Sequence, residues 1–233
     1  MDNGMLIVFE GASDGIGKST QLKMLRNRLE SEGNIIVDHH FPSYGTYHGA
    51  LVEKYLSGDF GKIEDLSPYF VNSLFALDRA CVWNTKLKPL YDEGKIILLD
   101  RYTTSSLIYQ SAKIEDYENE VDFLDFVSDF EYNKLGIQKP DIVIFLTAPF
   151  NVITQMRNRR VQNDGISNDL HERDNNYLRE VYNNANYVAH YFSWDRINCC
   201  DSNNNLRSKE DIHEEIYNLV KEKSKKIVKK RTL

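Results

Sequence analysis

The sequence predicts an α/β fold, a doubly wound, five-stranded parallel sheet flanked by helices. Short apolar runs alternate with longer stretches of helical pattern along the chain. The run "IILL" in the third apolar segment is apolar on both faces, as in a strand that helices cover on each side. Ligands of such sheets gather beyond the C-terminal ends of the strands. The predicted strands are 5–10, 35–41, 95–100, 141–147 and 194–199.

Helical patterns fill the segments between these strands, and glycines mark the ends of two of them. Gly33 is expected to end the first helix and Gly94 the second, because glycine adopts the left-handed conformation that closes a helix. The predicted helices are 18–32, 67–93, 118–135, 149–160, 173–192 and 208–226.

A chain of 233 residues, 41% hydrophobic and 27% charged, suits one domain with a single large core. We therefore predict one domain over 1–233. The polar stretch 162–176 is predicted to be an exposed mobile loop within it rather than a linker between two domains. The basic tail at about 221–233 suits a solvated, frayed helix end better than a contact with RNA or an anionic surface.

Net charge, apolar runs and cysteine count limit the binding partners and the cellular compartment that we expect. A formal net charge of −6 argues against general nucleic-acid binding, which usually needs a basic face. The apolar runs are far too short to cross a bilayer, and the N-terminus lacks the basic segment of a secretion signal. Three cysteines suit a reducing compartment better than a disulfide framework. We expect a cytoplasmic protein that binds neither membrane nor nucleic acid.

The segment "GASDGIGKST", residues 11–20, is nearly a phosphate-binding loop. It follows the first strand and leads into the first helix. In such loops the main-chain N–H groups point inward at the helix N-terminus, where the dipole favours anions. Lys18 would neutralise phosphates, and the Ser19 hydroxyl would complete a Mg²⁺ shell. The residues predicted to bind the nucleotide are Gly11, Asp14, Gly15, Ile16, Gly17, Lys18, Ser19 and Thr20.

This loop has one residue more than the usual pattern. Counted back from Lys18, the first glycine belongs at position 12, which is Ala12, and the glycine stands at Gly11 instead. The spacing from Asp14 onward is intact, so we place the surplus residue upstream, where the chain leaves the strand. The alternative is a glycine-containing turn with a chance lysine.

Further motifs make the chain resemble the thymidylate kinases, P-loop kinases that phosphorylate dTMP to dTDP with Mg-ATP. The resemblance covers roughly residues 5–200 and implies the P-loop kinase fold with a mobile lid at about 157–172. It also implies a homodimer. The motifs are "FEGASDGIGKST", "FPSYGT" (41–46), "FALDRA" (75–80), "DRYTTSSLIYQ" (100–110), "PDIVIFLTAP" (140–149) and "NDLHERDNNYL" (168–178).

The resemblance assigns the acceptor pocket. Arg79 and Arg101 would grip the phosphate of dTMP, since guanidinium forks suit phosphate. Phe75, one helical turn before Arg79, would stack on thymine, and Tyr109 would crowd the 2′ side of the sugar. Taken alone, a helical phenylalanine is more often core, and either arginine alone suits a surface ion pair. Three further residues would touch the base or the pocket: Ser105, Ser106 and Gln110.

The resemblance also places residues around the transferred phosphoryl group. Asp100, at the end of the third strand, would organise Mg²⁺ together with Ser19, although a helix cap is an alternative role. Asp14 would lie near the 3′ oxygen of the acceptor sugar and the metal. Lys18 and Arg101 would neutralise charge during transfer.

The lid is predicted to supply an arginine. Some relatives carry one in the phosphate loop directly after the aspartate, where this chain has Gly15. Arg157, Arg159 and Arg160 begin the lid, and we expect at least one to close over the ATP phosphates, with Arg157 and Arg160 as the catalytic candidates. The alternative for each is a solvated basic helix face.

Departures from the family pattern affect substrate preference more than reaction class. Tyr44 stands where many relatives carry an arginine, Thr147 where an aspartate is frequent and Ser111 where glycine is common.

Two other functions stay open. One is a deoxynucleoside kinase with an unphosphorylated acceptor, against which the arginine pair argues. The other is a catalytically silent nucleotide-binding protein whose loop the extra residue has disabled.

Overall fold

The computed structural model describes residues 4–62, 65–164 and 175–231, without the side chains of 159–164 and 175–176. Five parallel strands form one sheet in the order β2-β3-β1-β4-β5, which confirms the predicted fold class and all five strands within one residue at each end. The strands are β1 Met5–Gly11, β2 Ile36–His40, β3 Ile96–Asp100, β4 Ile142–Thr147 and β5 Asp195–Asn198.

Helices cover both faces of this sheet. In β1, Ile7 and Phe9 pack into one apolar cluster, whereas Leu6 and Val8 pack into the cluster on the opposite face. This two-sided burial is why the strands are continuous apolar runs. The helices are α1 Lys18–Ser31, α2 Ala50–Ser57, α3 Pro68–Val82, α4 Lys88–Asp92, α5 Thr103–Tyr109, α6 Tyr117–Ser128, α7 Phe150–Asp164, α8 Asn175–Tyr191 and α9 Lys209–Arg231.

Two predicted helices are divided by π-helical turns. The helix expected over 67–93 continues from α3 through a π-helical segment, Trp83–Leu87, into α4. Pro89 is part of the reason, because it has no N–H to continue the hydrogen-bond ladder. The helix expected over 118–135 likewise ends in a π-helical segment, Asp129–Lys134. Gly33 and Gly94 follow helix ends at φ 87° and 83°, as predicted.

The sequence prediction missed α2 and α5. The α5 segment, "TTSSLIY", is rich in hydroxyl and β-branched residues, which have low intrinsic helix propensity. Tertiary hydrogen bonds override that preference, because Thr103 and Thr104 donate to the buried carboxylates of Glu131 and Glu10. No helix in the described part of the chain is both long enough and apolar enough to cross a membrane.

Candidate active site

The phosphate loop leaves β1 at the C-terminal edge of the sheet, between the neighbouring strands β3 and β4. Ala12 N–H donates to Leu146 O at 3.0 Å, so the pairing with β4 continues one residue past the end of β1. A Cβ atom on Gly11 would lie 2.7 Å from Cγ2 of Ile16, so the close approach of the loop requires glycine there. The upstream position of the surplus residue stays a prediction.

Two glycines give the loop its curvature. Gly15 has φ 80° and Gly17 has φ 100°, values that glycine adopts without steric cost, and α1 begins at Lys18 directly afterwards. The Lys18 side chain is buried and folds back over the loop, with Nζ 3.4 Å from Ser13 O and 3.2 Å from Asp14 Oδ1. The ammonium group therefore lies inside the loop, as a phosphate-binding lysine requires.

A carboxylate and a hydroxyl meet beside the start of α1. Ser19 Oγ donates to Asp100 Oδ2 at 2.7 Å, and His40 Nδ1 lies 3.5 Å from the same oxygen. Burial alone would raise the pKa of Asp100, but the hydrogen bonds from His40 and Ser19 and the positive charge of Lys18 lower it to about 2. Asp100 is therefore an ionised carboxylate at neutral pH.

Arg101 follows Asp100 and turns back into the site. Its backbone has φ 69°, and its N–H donates to Phe9 O at 3.0 Å, so the chain turns sharply at the strand end. Its guanidinium contacts the carboxylate of Asp14 and lies 5.4 Å from the ring centroid of Tyr109. Burial lowers the pKa of Arg101, but Asp14 and Tyr109 more than offset that effect and raise it well above the ordinary value.

The sequence prediction missed Glu10, a second carboxylate close to the guanidinium of Arg101. Its carboxylate is fully buried, accepts hydrogen bonds from Thr104 and Ser105, and lies 3.7 Å from Arg101 Nη1. The signal in the sequence was an acidic residue at the end of an otherwise apolar strand. Glu10 therefore joins the phosphate-loop strand to Arg101 and α5.

The Arg79 side chain is more deeply buried than the sequence suggested for a phosphate-binding or surface arginine. Its Nε and Nη2 donate to the two carboxylate oxygens of Glu131, both at 2.6 Å, and Nη2 also donates to Ser106 Oγ at 2.8 Å. The residue is 1% exposed, and Nη1 faces Tyr102 O at 3.4 Å. Its role in gripping the acceptor phosphate stays a prediction, and its observed role is to fasten α3 to α5.

Glu131 and Asp78 are two further buried carboxylates that sequence reasoning missed. Glu131 left no local signal because it lies in the polar stretch "DFEYNK". Asp78 did have a signal, since it directly precedes the predicted site residue Arg79. Asp78 accepts from Ser43 N–H at 2.8 Å, and its other oxygen lies 2.6 Å from His48 Nδ1. It therefore fixes the loop after β2, which carries the half-exposed Tyr44.

The predicted base-binding residues lie on α3 and α5 or directly after α5. Phe75 is half-buried and meets the Tyr55 ring edge-on, with centroids 5.9 Å apart. Tyr109 is the last residue of α5 and Gln110 follows it. The buried side chain of Gln110 leaves Oε1 without a hydrogen-bond partner among the described residues. The structure thus brings Phe75, Ser106 and Gln110 to neighbouring helices.

The predicted lid is described only in part. Arg157 lies on α7, half-buried, and its Nε has no hydrogen-bond partner among the described residues. The side chains of Arg159 and Arg160 lie outside the described part of the structure, and so do residues 165–174. The closing of lid arginines over ATP therefore stays a prediction.

A phosphate loop at the switch point of a parallel sheet, followed by a carboxylate and an arginine on the next strand, defines a P-loop nucleotide-binding protein. The family model described as thymidylate kinase matches residues 9–216. The chain belongs to the thymidylate kinase family. By family it is an ATP:dTMP phosphotransferase of the nucleoside monophosphate kinase class.

Individual relatives agree with this assignment. The chain is 31% identical to a thymidylate kinase of Desulfotalea psychrophila, over 94% of this chain and 96% of the relative. It is 32% identical to that of Mycobacterium tuberculosis over 73% of this chain and 78% of the relative. A match to a Bifidobacterium longum thymidylate kinase is 36% identical over 47% of this chain, and it spans only about half the relative, 53%.

One solved structure supports the fold independently. The thymidylate kinase of Candida albicans superposes with a TM-score of 0.72, covering 95% of this chain and 93% of that one at 20% identity. At this identity the likeness concerns the fold alone. It agrees with the five-stranded parallel sheet described above.

Proposed function

We propose that this chain transfers the γ-phosphoryl group of ATP to dTMP, giving dTDP, with Mg²⁺ as its cofactor. The observation that carries the proposal is the position of Asp14, whose Oδ1 contacts both Lys18 Nζ and Arg101 Nη2. The ammonium group of Lys18 in the phosphate loop and the guanidinium of Arg101 after β3 thereby contact the same carboxylate oxygen. Phosphoryl transfer needs this kind of positioning and charge neutralisation more than covalent help.

On the donor side, the loop from Asp14 to Thr20 would hold the polyphosphate of ATP. The left-handed Gly15 and Gly17 let the backbone curve, and the buried Lys18 would neutralise the phosphates. We place the surplus residue on the strand side of the turn, where Ala12 N–H donates to Leu146 O. This location supports a working cradle.

The residues around Asp100 fit a magnesium ion. Asp100 is ionised, and its buried Oδ1 has no hydrogen-bond partner among the described residues. The described residues contain no group of three His, Cys, Asp or Glu side chains that would form a cage. This donor set suits Mg²⁺, which is usually held by one or two carboxylates and substrate phosphates. Asp100 and Ser19 would hold the ion, which neutralises phosphate charge when bound.

On the acceptor side, Arg101 would grip the phosphate of dTMP, and Phe75 would stack on the pyrimidine. Arg101 is already oriented by Asp14 and Glu10, so little rotamer freedom remains to be lost on binding. Arg79 would act mainly through Ser106, because Glu131, Ser106 and Tyr102 O together occupy four of its five N–H donors. Ser105 and Tyr109 flank Arg101 and would line the same pocket.

During transfer, each group of the chain has a limited task. The acceptor phosphate is already ionised at neutral pH, so a strong general base is unnecessary. Lys18 and Arg101 would orient the two phosphates in line and neutralise the developing charge. Arg157, with Arg159 or Arg160, would close over the donor and exclude water.

We also infer a homodimer in the cytoplasm. Phe70 and Leu77 are seven residues apart on α3, which places them on one helix face, and they are 42% and 48% exposed. Phe60 packs against Phe70 and widens this apolar surface. An exposed apolar stripe of this kind suits a protein–protein contact. Sedimentation in solution tests the dimer.

The cytoplasmic location is supported by the three cysteines, whose thiols are free and suit a reducing compartment.

The decisive experiment is a panel of acceptors with Mg-ATP, with ADP formation as the readout. We expect dTMP to be the best acceptor among dTMP, dUMP, dCMP, dGMP and thymidine. Preference for thymidine would indicate a deoxynucleoside kinase, and binding without turnover a silent nucleotide-binding protein. The variant Lys18→Ala should abolish turnover, whereas Lys88→Ala, which removes an exposed lysine paired within α4, should retain it.

A further inference from the structure

Side chains of α8 hold the C-terminal end of α5. The last carbonyl groups of a helix have no donor within that helix and need partners from elsewhere. Asn184 Nδ2 donates to Ile108 O at 2.6 Å, and the Tyr177 hydroxyl donates to Tyr109 O at 3.3 Å. Because Tyr177 and Asn184 are seven residues apart, they lie on one face of α8. This face of α8 therefore caps α5.

Ser111, which follows α5, adds a further bond to the same contact. It is fully buried, and its Oγ donates to Leu107 O at 2.6 Å and accepts from Asn184 Nδ2 at 2.7 Å. A glycine, which is common at this position in relatives, would supply neither bond. The serine of this chain therefore fastens the end of α5 to α8.

The opposite face of α8 contacts the beginning of α7. The Tyr182 hydroxyl donates to Ala148 O at 3.1 Å, and its ring lies 5.3 Å from that of Phe150, the first residue of α7, between centroids. The guanidinium of Arg179, three residues before Tyr182, lies 4.5 Å from the centroid of the same Phe150 ring. Helix α8 is thus fixed to α7 as well as to α5.

These two neighbours of α8 belong to different sides of the candidate site. Helix α7 carries Arg157, a predicted donor-side residue, whereas α5 ends in Tyr109, whose ring centroid lies 5.4 Å from the guanidinium carbon of Arg101. Energetic coupling between two sites is carried by the packed side chains, hydrogen bonds and rigid elements that connect them. The contacts of α8 form such a connection.

We propose that Asn184 is a positioning residue that couples the binding of ATP to the binding of dTMP. When Arg157 engages the donor phosphates, α7 and the attached α8 shift together. The carboxamide of Asn184 passes this shift to the end of α5, so that Tyr109 and Arg101 are positioned for the acceptor. The inference rests on the proposed function, because it needs ATP and dTMP on the two sides of the site.

The test measures dTMP binding by calorimetry, with and without a non-hydrolysable ATP analogue and Mg²⁺. In wild type the analogue should tighten dTMP binding at least about 5-fold, the lower end of coupling between two sites. In Asn184→Ala this ratio should fall below about 2-fold, while the Kd for dTMP alone should change less than about 3-fold. By linkage, dTMP should tighten binding of the analogue by the same factor in each protein.

Two further variants support this test. Asn183→Ala is the matched control, because Asn183 is the neighbouring, exposed asparagine of α8, and it should keep the wild-type ratio. Ser111→Ala removes only the hydroxyl that accepts from Asn184, and it should lower the ratio in part. Combining Ser111→Ala with Asn184→Ala should lower the ratio no further than Asn184→Ala alone, since both changes break one contact.

A wild-type ratio near one, or a wild-type ratio in Asn184→Ala, would overturn the proposal. A merely structural role of Asn184 would lower the unfolding temperature and weaken the binding of each ligand alone with the ratio intact, and that result would overturn it too. Turnover of dTMP by wild type tests the proposed function separately, so the two failures are distinguishable.

Discussion

Ser19 Oγ and Asp100 Oδ2 are 2.7 Å apart although the two residues are separated by 81 positions in the chain. The contact joins the start of α1 to the end of β3. It brings together the two oxygen donors that the sequence assigned to Mg²⁺.

The first prediction concerns this pair. Asp100→Asn should raise the Mg²⁺ concentration for half-maximal turnover about 10-fold and lower kcat about 100-fold, because a carboxylate that orients or binds the metal is lost. Magnesium titrations of ADP formation measure both. Asp92→Asn, an exposed carboxylate on α4, is the control, and an equal effect there would contradict the assignment.

A second prediction concerns pH and stability. The pKa of Asp100 falls from an ordinary 3.8 to about 2 in the folded protein, so its ionised form stabilises the fold above pH 4 by about 2 kcal/mol. That contribution is lost as the pH falls from 4 toward 2. The difference in free energy of unfolding between wild type and Asp100→Asn should therefore shrink over this window. A constant difference in urea titrations between pH 6 and 2.5 would count against it.

Glu10 provides a third prediction. Glu10→Gln should raise the KM for dTMP about 10-fold and leave the KM for ATP unchanged, because Arg101 loses an ionic partner while the phosphate loop keeps its glycines. Initial-rate kinetics with each substrate varied in turn distinguish the two constants. Glu30→Gln, which removes an exposed partner of Arg26, should change neither. Equal increases in both constants would indicate a general loss of structure.

The lid arginines give a fourth prediction. Replacing Arg157, Arg159 and Arg160 together by alanine should lower kcat at least about 100-fold, since an arginine at the transferred phosphoryl group is worth several orders of magnitude. Lysine at the same three positions keeps the charge and tests whether the guanidinium itself is needed. Unchanged turnover in the alanine variant would contradict a catalytic role of the lid arginines.

The extra loop residue gives the fifth prediction. Deleting Ser13 should leave the Kd for ATP within about 3-fold of wild type, because the phosphate-binding amides lie from Asp14 onward. Deleting Gly15 instead shortens that segment and should weaken binding much more. Fluorescence titration with a labelled ATP analogue measures both, and a large rise in Kd for the Ser13 deletion would refute the upstream location.

Local sequence predicted much of the fold and part of the site. The five strands, the phosphate loop and the order Asp100–Arg101 follow from apolar runs and short motifs, in which neighbouring residues determine the outcome. The two missed helices, α2 and α5, are short, and the α5 segment has weak helix propensity. Its helical conformation depends on hydrogen bonds to Glu10 and Glu131, which no local pattern predicts.

The sequence by itself determined that this chain has a parallel sheet with a nucleotide loop at its switch point. It identified Asp14, Lys18, Asp100 and Arg101 there and missed the buried Glu10. Only the tertiary structure decided which of them meet. Arg79 pairs with Glu131 across 52 positions, whereas Arg101 turns to Asp14 across 87. The reason is physical, because the partner of a buried charge depends on which helices pack against the strand ends, and spacing along the chain does not encode that packing.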